Sequence, residues 1–380
     1  MKKFNLKMYK NNNRYFLLFD IYLKDTNINK EALLKEIGIA PSSYRKCRRG
    51  ELNIGDKIIE QLSIHFNMKT VDDAILSELE EIFNTIYYDL YYKINDNYDN
   101  YLAKINYYKS LNYNIFPIID LFLLFIMMNS DKDSNLVREE NHELFKKLKK
   151  YHLFFADELE ELYEIVCLFY EEEITGNLWL KNYNDACAYH LLMSRSYRQK
   201  RYIESLFFGN KAKELLNLDG NIKRALYINN VLMSSLVYVG NFEECYNVSF
   251  KQSLTLKSIN IDNKFLNRSA RKFKIISMLA LNKYEDINKE YLKYDSLSIV
   301  EILCLMTSLY KEGLDNHDLL SYNEFYSQFD LTDNEQEDNL LIINLNEYLT
   351  SKKKHSLRLF AHKKFDLFLH LENIVKNTVN

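Results

Sequence analysis

The chain has few residues that break helices, with two prolines and eight glycines in 380 residues. A β-rich protein of this length needs many tight turns, and the Val/Thr alternation typical of strands is also scarce. Leu, Lys, Glu, Tyr and Asn are abundant instead. The composition therefore predicts an all-α protein, and the length allows two or three domains or one extended repeat array.

Cysteine is also sparse, and its spacing excludes two common uses. The five cysteines are far apart, odd in number and without a CxxC pair: Cys47, Cys167, Cys187, Cys245 and Cys304. This pattern argues against a disulfide framework and a zinc site, and it predicts the reduced thiols of a cytoplasmic protein. The first residues, MKKFNLKMYKNNN, lack the apolar segment of a secretory leader.

Long hydrophobic runs are missing as well. The most apolar segment, Ile115–Met128, is too short to span a bilayer and contains Asp120. We therefore expect a buried helix there and no membrane anchor. The basic segment from Ser351 to Val375 leaves three alternatives open, which are a cap on a helical array, pairing with a second protomer, and attachment to a membrane surface.

Motifs for catalysis are not found. The sequence has no phosphate-binding GxxxxGK loop, no dinucleotide glycine pattern, no HExxH and no recognisable pairing of nucleophile and base. Acidic clusters at Glu158–Glu164 and Glu171–Glu173 are expected to be solvated helix faces. The sequence therefore predicts a protein that is not an enzyme and uses neither a cofactor nor a metal.

Charge is distributed unevenly along the chain. Residues 1–70 contain fourteen Lys and Arg against seven Asp and Glu, a net charge of +7. Because the whole chain carries −3, the remainder carries −10. A basic amino-terminal region joined to an acidic body is expected if only the first part meets phosphates.

The basic region contains two short helical patterns, separated by a turn. Leu33 and Ile37 lie one turn apart, and Gly38 can end their helix by adopting a positive φ. Pro41 suits the first turn of the next helix, in which Tyr44 and Cys47 share one face. The other face carries Ser42, Arg45, Lys46 and Arg49.

This arrangement resembles an Xre/Cro-type helix-turn-helix, and the matching residues are Leu33, Gly38, Ile39, Ser42, Ser43, Arg49 and Gly50. Ile58, Leu62 and Phe66 follow at four-residue steps, like the next helix of that family. The resemblance implies a DNA-binding domain over residues 1–70, with Ser42, Ser43, Arg45, Lys46 and Arg49 as candidate contacts. Leu34 and Tyr44 are larger than the family pattern, which leaves open a helical subdomain that docks on a protein.

A repeat becomes visible after residue 185. Tyr202, Phe242 and Tyr284 occur in the similar segments KRYIE, GNFEE and NKYED, 40 and 42 positions apart. Small residues, Ser205 and Cys245, lie three positions further on in two copies, and Ile287 replaces them in the third. The pattern resembles tetratricopeptide (TPR) repeats with lengthened helices, although an accidental recurrence would look the same.

The TPR resemblance implies a right-handed helical-repeat solenoid. Residues 71–185 would form its first helical pairs, and residues 186–380 would form the remaining repeats with a capping or dimerisation region. The family pattern places seven candidate peptide-binding residues on the inner face: His190, Ser194, Tyr197, Tyr227, Asn230, Ser234 and Lys272. Such side chains suit a peptide backbone and its carboxylate. Tyr197 also suits packing between helices, and His190 a structural role.

A helix-turn-helix followed by a TPR-like array resembles the RRNPP group of peptide-pheromone receptors, which includes the arbitrium receptors. The resemblance implies a cytoplasmic, homodimeric transcription regulator for quorum sensing. Its partners would be a double-stranded DNA operator and a short signalling peptide, without a membrane. Two alternatives remain: a member of the group that sequesters or dephosphorylates a response regulator, and a helical scaffold without a peptide ligand.

Overall fold

The chain is all-α, as the composition predicts, in the part that the computed structural model describes. That part is residues 3–9, 14–26, 28–49, 51–52, 55–92, 97–130, 133–173, 178, 181–259, 263–294, 297–313, 341–346, 348–349 and 366–379. Within these ranges the regular structure is helical, apart from one isolated bridge between Lys69 and Tyr113. Gly50 and the predicted basic cluster from residue 351 to 365 lie outside the described residues.

Two compact units divide the chain, Met1–Leu191 and Leu192–Asn380. Residues 1–70 and 71–185, which the sequence predicts as separate regions, both belong to the first unit. Its helices are α1 (Arg14–Asp25), α2 (Lys30–Glu36), α3 (Pro41–Arg48), α4 (Asp56–His65), α5 (Asp73–Tyr91), α6 (Tyr98–Ser110), α7 (Phe116–Met128), α8 (Ser134–Glu140), α9 (His142–Lys149) and α10 (Glu158–Tyr170).

The apolar segment forms α7 in the centre of the first unit. Every residue of α7 from Phe116 to Ile126 is buried, which confirms the predicted buried helix. Its one carboxylate, Asp120, lies 2.9 Å from Lys109 Nζ on α6, and this ion pair offsets part of the cost of burying the charge. Among the described residues, none of the helices combines the length and hydrophobicity that crossing a bilayer requires.

The second unit is a succession of helices that pack on their neighbours. The helix α11 (Ala186–Arg198) crosses the division between the units. It is followed by α12 (Tyr202–Asp219), α13 (Ile222–Tyr238), α14 (Phe242–Ser258), α15 (Lys264–Ala280), α16 (Tyr284–Tyr291), α17 (Ile299–Lys311) and α18 (Asp366–Val379), and residues 341–346 are also helical. α13 packs against α12, α14 and α15.

The repeated sequence segments correspond to a repeated helix ending. Lys200, Gly240 and Asn282 each have a positive φ, and each lies two residues before the repeated aromatic. In all three turns the next N–H donates to the carbonyl five residues earlier, at 2.9 Å. This is the 6→1 bond of a Schellman motif, which satisfies a carbonyl at the end of a helix. The same bond follows Gly38 and Gly220, so it is a common helix ending in this chain, and the 40- and 42-residue spacing of the three turns remains a prediction of a repeat.

Candidate functional site

The geometry of the α2–α3 turn fixes where the candidate DNA-contacting residues lie. Gly38 has a φ of 71°, and the N–H of Ile39 donates to the carbonyl of Leu34 at 2.8 Å. Pro41 is the first residue of α3, where its missing N–H leaves no intrahelical bond unmade. The predicted helix end and helix start are both confirmed.

The inner face of α3 is closed by a tyrosine. Tyr44 and Cys47 are buried, and the Tyr44 ring meets Phe16 edge to face at 4.7 Å between centroids. The Tyr44 hydroxyl donates to Asp20 Oδ1 at 2.6 Å. Burial, and then this hydrogen bond, raise the pKa of Tyr44 well above its usual value, so the hydroxyl remains a donor. The large side chain at this inward position is therefore accommodated by a specific polar partner.

Asp20 holds three helices together. Its carboxylate on α1 accepts from Tyr44 on α3, pairs with Lys30 on α2 and lies 3.1 Å from Arg48 Nε on α3. Asp20 is 8% exposed, so its charge is compensated by these groups more than by water. Sequence reasoning did not find this cluster, because its members come from three helices and share no local spacing.

The outer face of α3 presents the predicted polar stripe, here called the α3 surface: Ser42, Arg45, Lys46 and Arg49. All four are exposed, and Ser43 is half-buried. Arg49 Nη1 lies 3.8 Å from Glu51 in a pair whose partners are both open to solvent, so the pair contributes little. The cations of the α3 surface are therefore accessible to a partner.

A cavity of about 880 Å³ lies in the second unit, and we call it the α15 cavity. Four of the seven predicted peptide-binding residues line it: Tyr197, Asn230, Ser234 and Lys272. His190, Ser194 and Tyr227 are not among its described lining residues. Tyr227 instead packs against Leu226, Leu256 and Leu266, with its hydroxyl accepting from Asn263 Nδ2 at 3.4 Å. His190 and Ser194 are half-buried on α11.

The wall of the α15 cavity combines polar and aromatic groups. Tyr197 Oη and Ser234 Oγ form a hydrogen bond of 2.7 Å. Asn230 Oδ1 accepts from Gln252 Nε2 at 2.9 Å, whereas Asn230 Nδ2 has no hydrogen-bond partner among the described residues. Tyr202 stacks on Tyr238 with 4.4 Å between the ring centroids. Tyr197 lines the cavity, and its ring also packs against Tyr202 and Tyr238 of the next two helices, as the packing alternative for this residue predicts.

Cations dominate the charge of the α15 cavity. Five basic residues line it, namely Arg198, Lys200, Lys264, Arg268 and Lys272, and none of the described lining residues is Asp or Glu. Lys264, Arg268 and Lys272 lie four residues apart along α15, on one face of the helix. Only Lys272 was among the sequence candidates. The i, i+4, i+8 spacing was the signal that could have identified the other two.

The described part of the chain contains no group of three or more His, Cys, Asp or Glu side chains placed to hold a metal ion. All five cysteines are buried and free. No protein-family model, curated protein or solved structure matches this chain.

Proposed function

We propose that the chain is a cytoplasmic, homodimeric transcription regulator of the RRNPP type. In this proposal α2 and α3 form a helix-turn-helix whose α3 surface enters the major groove of an operator. The second unit is a right-handed TPR-like solenoid, and a short signalling peptide occupies the α15 cavity on its concave face. Peptide binding changes the spacing of two DNA-binding regions and thereby the occupancy of adjacent half-sites.

The observation that carries the proposal is the division of α3 into two faces. Tyr44 and Cys47 are buried, whereas Arg45, Lys46 and Arg49 are exposed on a helix that follows a tight glycine turn. A recognition helix needs this arrangement, because its inner face must be held rigidly while its cations remain available for phosphates and base edges.

The repeated turns and the cavity support the second half of the proposal. Lys200, Gly240 and Asn282 end alternate helices, α11, α13 and α15, with the same hydrogen bond, which favours a stack of similar helical pairs. For the peptide to control DNA occupancy, it must bind one arrangement of the two DNA-binding regions more tightly than the other. A tenfold change in occupancy corresponds to a coupling free energy of ~1.4 kcal/mol.

DNA binding is tested with the purified chain and mixed-sequence duplex DNA across a range of salt concentrations. We expect retardation at low salt and a steep loss of affinity as salt rises. Lys46→Ala should lower affinity for all sequences alike and reduce the salt slope by about one if it contacts a phosphate. Arg45→Ala should relax discrimination at one base pair if it contacts a guanine.

The matched control is Lys24→Ala, which removes an exposed cation from the end of α1 rather than from the α3 surface. It should retain the affinity of the unmodified chain. If Lys46→Ala and Arg45→Ala also retain the affinity of the unmodified chain, the assignment of α3 as a recognition helix is ruled out. A chain that binds no duplex even at low salt would favour the alternative in which the amino-terminal helices dock on a response regulator.

A further inference from the structure

The basic residues of α15 fall into two sets that differ in their partners. Arg271 Nε lies 3.1 Å from Glu301, and Lys274 Nζ lies 2.6 Å from Glu290. Lys264, Arg268 and Lys272 form no ion pair with an acidic side chain of the described residues, and all three line the α15 cavity. The α15 cations that point away from the cavity are therefore paired with carboxylates, whereas those on the cavity side have no ion-pair partner among the described residues.

The environment of Lys272 shows that this charge is costly. Burial lowers the pKa of Lys272, and the carboxylate of Glu301 on α17 opposes that effect only in part. The Lys272 ammonium lies 4.9 Å from the centre of the Phe273 ring but has no direct ion-pair partner among the described residues, so its charge is only partly stabilised in the empty cavity. An anion placed beside it would recover the lost solvation, so the cavity favours a ligand of the opposite charge.

Other groups of the wall indicate what else the ligand must contain. Tyr202, Tyr238 and Phe265 provide aromatic surface, and Asn230 Nδ2 offers a donor to a carbonyl oxygen. The volume of about 880 Å³ exceeds what a single inorganic anion fills and lies near the top of the usual range for small-ligand sites. A peptide of a few residues supplies carbonyl, apolar and carboxylate groups together.

We propose that the α15 cavity selects an acidic peptide whose carboxylates bind Lys264, Arg268 and Lys272. This inference rests on the proposed function, since it takes the ligand to be a peptide, and it adds the charge class that the peptide must have. A carboxylate can accept charge-assisted hydrogen bonds from both the guanidinium of Arg268 and the ammonium of Lys272. A basic peptide would instead bring a like charge into a partly desolvated site.

The test uses three pools of synthetic hexapeptides with free carboxyl termini. Two fixed positions carry Asp or Glu in the first pool, Ser or Gln in the second, and Lys or Arg in the third, and the other positions are randomised identically. Binding to the full chain is measured by thermal shift and by calorimetry. We expect the acidic pool to bind at least about tenfold more tightly than the basic pool.

Variants locate the effect within the cavity. Arg268→Met combined with Lys272→Met should remove the preference for the acidic pool. Lys257→Ala is the control, because Lys257 is an exposed cation that lines a neighbouring cavity together with Lys264 and Arg268 but does not line the α15 cavity. It should leave the preference unchanged. Circular dichroism and thermal unfolding without peptide establish that each variant is folded.

Each other outcome has a distinct meaning. Equal binding of all pools, or tighter binding of the basic pool, overturns the charge selection and leaves the peptide-receptor proposal standing. Binding to none of the pools overturns both. Inorganic phosphate that competes as strongly as the acidic pool shows a site for a simple anion, which also contradicts the inference. Loss of the preference in Lys257→Ala places the anion outside the α15 cavity.

Discussion

The helices α3 and α15 both carry a row of cations, but they hold these cations in different environments. On α3, Arg48 is paired with Asp20 while Arg45, Lys46 and Arg49 are exposed. On α15, Lys264, Arg268 and Lys272 line a cavity with aromatic walls, in which Lys264 and Arg268 are exposed and Lys272 is half-buried. A fully exposed row can meet many phosphates at once and depends strongly on salt, whereas the half-buried Lys272 can exchange its lost water for one small anion.

The carboxylates beside the two helices explain why the rows differ. Asp20 lies under α3 and fixes the inner side of the helix, whereas on the outer side Arg49 forms only a weak, solvent-open pair with Glu51. Glu301 and Glu290 engage Arg271 and Lys274 on α15, away from the cavity. On both helices the carboxylates pair with cations that hold the helix in place. The cations that remain without such a partner are the ones available to a ligand.

The largest expected effect is from Asp20→Ala. Removing the carboxylate leaves the buried Tyr44 hydroxyl without its acceptor and Lys30 and Arg48 without their partner. We expect a loss of about 3 kcal/mol in the free energy of unfolding, because breaking a buried charge cluster costs several kcal/mol and the two cations are partly exposed. Urea denaturation measures this loss, and DNA affinity should fall in the same variant.

Lys272→Met provides the comparison for Asp20→Ala. It removes a partly desolvated cation that has no ion-pair partner, so the free energy of unfolding should stay unchanged or rise. A decrease in the free energy of unfolding as large as that of Asp20→Ala would show that Lys272 stabilises the fold. The proposed difference between the cations of α3 and those of α15 would then be wrong.

A change of pH is expected to have a smaller effect, on the affinity of the α15 cavity for the acidic pool. Burial lowers the pKa of Lys272 in the empty cavity, and a bound carboxylate would raise it again. Binding therefore takes up a proton once the pH exceeds the free-state pKa, and affinity for the acidic pool falls as pH rises from that pKa to the bound-state pKa. Calorimetry at increasing pH, from neutral upward, should show this decrease, and Lys272→Met should flatten it.

The other charged groups that line the cavity or act on Lys272 electrostatically are Arg198, Lys200, Lys264, Arg268 and Glu301. Burial lowers the pKa of His370, whose ring lies 5.7 Å from that of Tyr238, below its ordinary 6.5. His370 is therefore neutral throughout the tested range. An affinity that increases with pH would contradict the assignment.

Sequence patterns predicted the fold where the signal was local. The helix end at Gly38, the start at Pro41 and the burial of α7 each depend on residues within a few positions of one another, and all three are confirmed. On α4, the predicted buried face differed from the observed one by one residue at the start of the helix. Ile59 is buried together with Leu62 and Phe66, whereas Ile58 is half-buried.

The candidate sites were predicted less completely, for a physical reason. Tyr197, Asn230, Ser234 and Lys272 could be placed by counting along the repeat, but Asp20 meets Tyr44 across 24 positions through tertiary packing. Tyr227 failed to reach the cavity because its ring packs on an apolar cluster that periodicity alone does not locate. The carboxylates that pair with some of the cations are also far from them in sequence, so local patterns do not show which cations lack an ion pair.

The smallest expected effects come from paired glycine substitutions, one in the turn before α3 and one in the turn that follows Tyr238 of the α15 cavity. Gly38 and Gly240 have φ values of 71° and 78°, and a Cβ built at either position meets no described atom within 4 Å. Alanine at either position should therefore cost about 1 kcal/mol from the backbone conformation alone. Chemical denaturation should give similar losses of stability for Gly38→Ala and Gly240→Ala.

The effects of the two variants on binding should differ. DNA affinity should fall in Gly38→Ala and peptide affinity in Gly240→Ala, because each turn orients a different set of side chains. A clearly greater loss of stability in Gly240→Ala would show that the repeated turn contributes more than backbone conformation to the second unit.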